Sequence, residues 1–125
     1  PQYGVLVYLP TPADPAELTT DHLESLERYP AQVQEAGGKV LGGSYFAEHR
    51  GFAFQPITTT TVIRGDAVRS GPMVKSELVP AAFYVLAAPD MEVAVRLAQL
   101  HPATRDGAVE VRPLFIPPTS RGAKA

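Results

Sequence analysis

AAFYVLA at 81–87, PDMEVAVRLAQL at 89–100 and VEVRPL at 109–114 follow one another as strand, helix and strand. The first segment carries β-branched and aromatic side chains and no charge, the composition of a buried strand. Pro89-Asp90 opens the second, with Asp90 placed to cap a helix whose apolar stripe is Val93, Ala94, Leu97, Ala98 and Leu100. His101-Pro102 closes it. The third segment alternates, so Val109 and Val111 share one face and Glu110 and Arg112 the other.

The same unit is written once more at the amino-terminal end. Tyr3 to Leu9 (YGVLVYL) has few polar atoms and reads as a central strand buried on both faces. Pro10 ends it. Thr19 or Thr20 can cap a helix, with Asp21 and Glu24 near its positive end. Leu23, Leu26, Val33 and Ala36 then recur at helical spacing. Pro30 interrupts that pattern and predicts a kink or a restart, because an interior proline costs about 3 kcal/mol. Gly37-Gly38 stops the helix.

Lys39 to Phe46 reads as a second strand and the threonine-rich Ile57 to Arg64 as a third. Gly65-Asp66 turns the chain back into Ala67-Val68-Arg69. The order is β-α-β, a hairpin, then β-α-β. It predicts an α+β, ferredoxin-like sandwich over residues 1–116, with both helices on one sheet face. Residues 117–125 read as a flexible tail. The uncovered sheet face is too apolar to meet water across its width. A homodimer closing into a dimeric α+β barrel is therefore expected, with a pocket between sheet and partner.

Composition narrows the function. The chain has 125 residues, 45% hydrophobic and 19% charged, with a net charge of −2. No basic face is available for nucleic acid. The absence of cysteine excludes disulfides, a thiol nucleophile and a thiolate zinc site. Apolar runs are too short to span a bilayer, and no signal peptide is evident, so a cytoplasmic protein without a membrane partner is expected. His22, His49 and His101 lack metal-ligand spacing. There is no phosphate-binding glycine loop, and no cofactor or metal is expected.

Several segments together resemble the YCII-related (DGPF-domain) family. They are Tyr3-Gly4-Val5-Leu6-Val7-Tyr8, Val40-Leu41-Gly42-Gly43, Thr59-Thr60-Thr61-Val62-Ile63-Arg64 and, most specifically, the run from Pro102 to Pro113. The resemblance implies a dimeric ferredoxin-like domain. It also implies a lyase-type activity in at least one branch, with a histidine and a carboxylate as the working pair. The family's signature tetrapeptide is here Ser70-Gly71-Pro72-Met73, and Lys75-Ser76-Glu77 follows it with both charges exchanged. Ala81-Ala82 replaces a glycine pair, and about ten residues around Ala47 to Gln55 look inserted.

Candidate site residues follow from these readings. His22, on the helical face of Leu26, Tyr29 and Val33, is placed to act as a general base, or is a first-turn histidine with no such role. His49 and Arg50 lie in the inserted loop beside Tyr45, Phe46, Phe52 and Phe54. That loop can cover an aromatic or anionic ligand held by the arginine fork, with His49 as a second candidate base, or it buries its aromatics on a partner subunit. Lys75 and Glu77 share a face if extended, as a ligand-orienting pair or an exposed salt bridge. Glu110 and Arg112 offer a base and an anion anchor or a structural ion pair, and Tyr8 and Tyr84 offer phenolic hydrogen bonds. Three functions stay open. One is a cofactor-independent lyase, dehydratase or isomerase moving a proton on an aromatic or carbonyl substrate. The others are a non-catalytic module binding a small organic ligand, and a cofactor-free monooxygenase.

Overall fold

The computed structural model describes residues 1–42 and 52–118. Its centre is the antiparallel pairing of β1 (Gln2–Pro10) with β6 (Leu78–Ala87). β7 (Ala108–Pro113) pairs with the other side of β1. β2 (Lys39–Gly42) and the short β3 (Phe52–Ala53) share the far edge of β6, so the main sheet runs β2-β6-β1-β7 with β3 beyond β2 along the same edge. Every neighbouring pair is antiparallel. β4 (Thr61–Arg64) and β5 (Ala67–Ser70) form a hairpin of their own, outside this sheet. With two helices, α1 (Thr20–Glu35) and α2 (Met91–Gln99), the chain is α+β.

Alternation decides which side is core. Tyr3, Val5, Val7 and Leu9 of β1 are buried, while Gly4, Leu6 and Tyr8 between them are half-buried. β1 is therefore covered fully on one face, not on both. Leu26, Tyr29 and Val33 of α1 and Ala94, Leu97 and Ala98 of α2 are buried with it. The helix pattern also holds one residue that its apolar stripe omitted. Leu100 is 43% exposed, and His101, four residues after Leu97, occupies the core position at 4% exposure.

Pro30 neither breaks nor restarts α1, which runs unbroken from Thr20 to Glu35. Burial of Leu26, Tyr29 and Val33 around it outweighs the missing ladder bond, each such side chain being worth about 1.5–3 kcal/mol. Thr19 caps the helix by accepting from the His22 amide at 3.1 Å. Gly37, at φ 100°, turns the chain at the other end. Gly38 is needed for packing, since a Cβ there would run into the Leu97 side chain and the Ala87 carbonyl.

Two strand boundaries differ from the sequence reading. The expected strand 57–64 begins as a 3-10 turn, Ile57–Thr59, and only Thr61–Arg64 is extended. The Thr59 hydroxyl donates to the Pro56 carbonyl at 2.7 Å, a local bond that competes with strand pairing. β6, in contrast, starts earlier than Ala81 and takes in Pro80. The register jumps from Val7↔Ala82 to Tyr8↔Pro80, a bulge that leaves Ala81 without a partner in β1, beside the proline that lacks an N–H. Val79, Ala81 and Ala82 all remain in the core while Pro80 faces away from it. The expected strand 39–46 is seen as far as Gly42, and its remainder lies outside the described residues.

Candidate functional site

The bulge builds the site. By returning Val79 and Ala81 to the core, it leaves Leu78 and Pro80 on the opposite face beside Tyr8. These three residues floor a cavity of about 840 Å³. Phe54, Ile57 and Thr60 form one wall, Val62 of the hairpin a second, and the segment Pro72 to Ser76 a third. That volume suits a small organic ligand.

Backbone bonds hold the walls. The Ile57 amide donates to the Pro12 carbonyl at 2.8 Å, the Gly71 amide to Thr60 at 2.9 Å, and the Thr11 amide to Glu77 at 2.9 Å. The Arg69 guanidinium donates to the carbonyls of Pro72 and Met73 at 3.0 and 3.3 Å, which fixes the course of the third wall. Met73 and Val74 on that wall are nevertheless 56% and 69% exposed. Apolar side chains held so openly around a concavity are the part of the structure that a ligand would cover.

The polar end of the cavity is Tyr8. Its hydroxyl donates to Glu110 Oε1 at 3.0 Å, across the β1–β7 pairing. That bond to Glu110 holds the phenol above its ordinary pKa, with burial and the carboxylate charge adding to the effect and Arg112 opposing it. Tyr8 is thus a neutral donor committed to an exposed carboxylate. Arg112 shares the face but stands further from the cavity. Along β7, Ala108 lies opposite Tyr8, Glu110 opposite Leu6, and Arg112 opposite Gly4.

Phe52 stacks on Phe83 with ring centroids 5.0 Å apart, and Phe54 leans on the same ring at 5.8 Å. This aromatic row runs from the cavity across the open sheet face. Lys75 and Glu77 are exposed and line no part of the cavity, although their neighbours Val74, Ser76 and Leu78 do. The segment bends at Gly71, Met73-Val74 and Glu77, so the pair lacks the extended backbone that would align it. Ion pairs among the described residues are Arg96–Glu92 and Arg105–Asp21, both exposed. Tyr45, His49 and Arg50 lie outside the described residues.

His22 and Tyr84 are on the other side of the sheet. Tyr84 is 2% exposed; its hydroxyl meets that of Tyr29 at 2.7 Å, and Tyr29 in turn donates to the Leu97 carbonyl at 2.8 Å. Since Tyr29 has one proton and gives it to Leu97, Tyr84 is the donor between the two phenols. His101 stacks on Tyr84 at 5.5 Å and meets the edge of Tyr29 at 5.0 Å. Its Nδ1 accepts from the Ala103 amide at 3.1 Å, so the proton of the neutral ring sits on Nε2. Burial, then the neighbouring His22 and Arg105, pulls His101 down to about 3. Burial likewise lowers His22, against the pull of Asp106. The His22 Nε2 is buried without a hydrogen-bond partner among the described residues. Tyr84, Tyr29 and the Leu97 carbonyl form a closed core network apart from the cavity, with the His101 ring packed against both phenols.

Of the sequence-derived candidates, Tyr8 lines the cavity, Glu110 is bonded to Tyr8 without itself lining it, and Phe52 stacks on Phe83, the ring on which the lining residue Phe54 leans. Its apolar walls come from Phe54, one of the loop aromatics, and from residues that the sequence does not single out for the site: Ile57, Met73, Val74 and Pro80. The available signals were Gly71-Pro72 turning back toward the sheet and a proline inside an otherwise apolar strand. Among the described residues no group of three His, Asp or Glu converges as metal ligands. No helix among them is long and apolar enough to cross a membrane. No family model matches the chain, and a search of curated proteins finds no match.

Proposed function

We propose that this chain is a small-molecule-binding protein whose site is the cavity between the open sheet face, the hairpin and the 72–76 segment. The observation that carries this reading is the mostly apolar cavity of about 840 Å³, whose polar lining is Tyr8, Gln55, Thr59, Thr60 and Ser76, with the Tyr8 hydroxyl held by Glu110. Binding is favoured over histidine-assisted proton transfer because His22 and His101 are buried in the helix-side core, and none of the described histidines lines the cavity. A ferredoxin-like sandwich is the architecture attached to this proposal. In its support, each helix joins strands two places apart in the order β2-β6-β1-β7. Kinship with the YCII-related proteins and a cytoplasmic setting belong to the same proposal.

The proposal includes a homodimer paired sheet to sheet. Phe52, Phe83 and Leu114 are 56%, 37% and 40% exposed on or beside the open face. Burying such a row on a second copy is worth about 25 cal/mol per Å². Analytical ultracentrifugation tests it: the chain sediments as a dimer, and Phe83→Glu converts it to monomer. A monomeric parent would end this part of the reading.

The ligand site is tested with the uncharged fluorophore N-phenyl-1-naphthylamine, against a chain that contains no tryptophan. Saturable enhancement is expected, weakened at least fivefold by Met73→Glu in the wall and unaffected by Val95→Glu on the exposed face of α2. Equal effects of the two substitutions would show the dye binding elsewhere.

A further inference from the structure

We infer that this cavity selects ligands by charge: it takes an apolar, ring-sized body carrying a hydrogen-bond donor, hydroxyl or ammonium, and rejects anions. The inference rests on the cavity reading above and goes beyond it in naming the ligand class. None of the thirteen described residues lining the cavity is Lys, Arg or His. An anionic group buried there would lose its hydration without gaining a cation, an expensive transfer.

Among the described residues, the cations nearby are directed elsewhere. Arg69 gives two of its five N–H donors to the carbonyls of Pro72 and Met73 and does not line the cavity. Lys75 projects from the segment without lining the cavity. Arg112 lies four residues along β7 from Ala108, the residue that pairs with Tyr8. That is roughly 13 Å along the strand, with Glu110 between.

Proton bookkeeping at the polar end points the same way. Tyr8 has one hydroxyl proton, and it is given to Glu110 Oε1. At Tyr8 a ligand acceptor would have to take that proton from a carboxylate, and the other polar lining residues, Gln55, Thr59, Thr60 and Ser76, are uncharged. A ligand donor needs no such exchange, because an ionised carboxylate has about four lone-pair sites and Tyr8 occupies one. Hydrogen bonds to a charged partner are also the stronger kind. The apolar walls would then hold the body of the ligand while the carboxylate reads its donor.

The test uses three ligands with one ring system: 1-naphthylmethylamine, 1-naphthylmethanol and 1-naphthoic acid, titrated calorimetrically at pH 7.5. The amine and the alcohol are expected to bind, and the acid at least about tenfold more weakly. Glu110→Gln should lower amine affinity at least threefold and alcohol affinity by a smaller factor. Gln55→Lys, which adds a cation to an exposed lining position, should strengthen the acid. Tighter or equal binding of the acid to the parent chain overturns the inference, as does an amine-to-acid ratio unmoved by Glu110→Gln. Failure of all three ligands to bind overturns the cavity reading itself, and the inference with it.

Discussion

Tyr84 and Tyr8 are two phenols on neighbouring strands of one sheet, and they do opposite work. Tyr84 faces the helices, is 2% exposed and donates into a chain that ends on the Leu97 carbonyl. Tyr8 faces the uncovered side, lines a cavity and donates to a carboxylate that still has lone pairs to offer. One network is closed and the other is left open. A closed polar network inside a core specifies structure; the open one lies beside the apolar concavity proposed above as the ligand site. Residue type alone does not separate them. The face of the sheet does.

The sharpest way to break this contrast is to substitute adjacent positions on β6. Leu86 is fully buried on the helix side, and Leu86→Ala should cost about 2–5 kcal/mol in urea unfolding. Its half-buried neighbour Val85, on the other face, should cost about 1 kcal/mol or less as alanine. Similar costs at both positions would mean that the second face is covered as fully as the first.

The next effect is one of pH. Folded His101 is held down to about 3 against an ordinary 6.5, so unfolding takes up a proton in the window between. Its contribution to stability is complete above pH 6.5, declines as pH falls toward about 3, and levels off below that. At pH 4.5 the loss should be roughly 2–3 kcal/mol relative to alkaline pH, and His22 adds to it in the same direction. His101→Asn, whose side-chain oxygen can accept from the Ala103 amide, should lower stability at pH 8 but flatten the slope. An unchanged slope would place the titration elsewhere.

Two hydroxyl deletions complete the series. Tyr29→Phe strips the partner from both the Tyr84 hydroxyl and the Leu97 carbonyl, an expected cost of about 1–3 kcal/mol in chemical denaturation. Tyr8→Phe removes a bond at the solvent-facing rim and should cost less than about 1 kcal/mol. Its effect should appear instead as altered binding of 1-naphthylmethanol.

These outcomes also bear on what could be read before any coordinates. The β-α-β units were legible because period and caps agree, with Asp90 accepting from the Val93 amide and Thr19 from that of His22. The alternation of Val109 and Val111 against Glu110 and Arg112 placed the polar pair on the correct strand faces. The cavity was not legible. It depends on a bulge that re-aims Leu78 and Pro80, and on a 3-10 turn where threonines suggested a strand. Both arise from local competition for backbone bonds, which hydrophobic periodicity does not report. His22 and Tyr84 were selected for their chemistry, and the sheet face to which each belongs is a property of packing.

The most direct test of the account is amide chemical-shift mapping of the parent chain titrated with 1-naphthylmethanol. The account predicts saturable shifts at Tyr8, Phe54, Thr60, Met73 and Ser76, with the amides of His22, Tyr29 and His101 unmoved. Shifts centred on the His101 network, with the cavity residues silent, would contradict it.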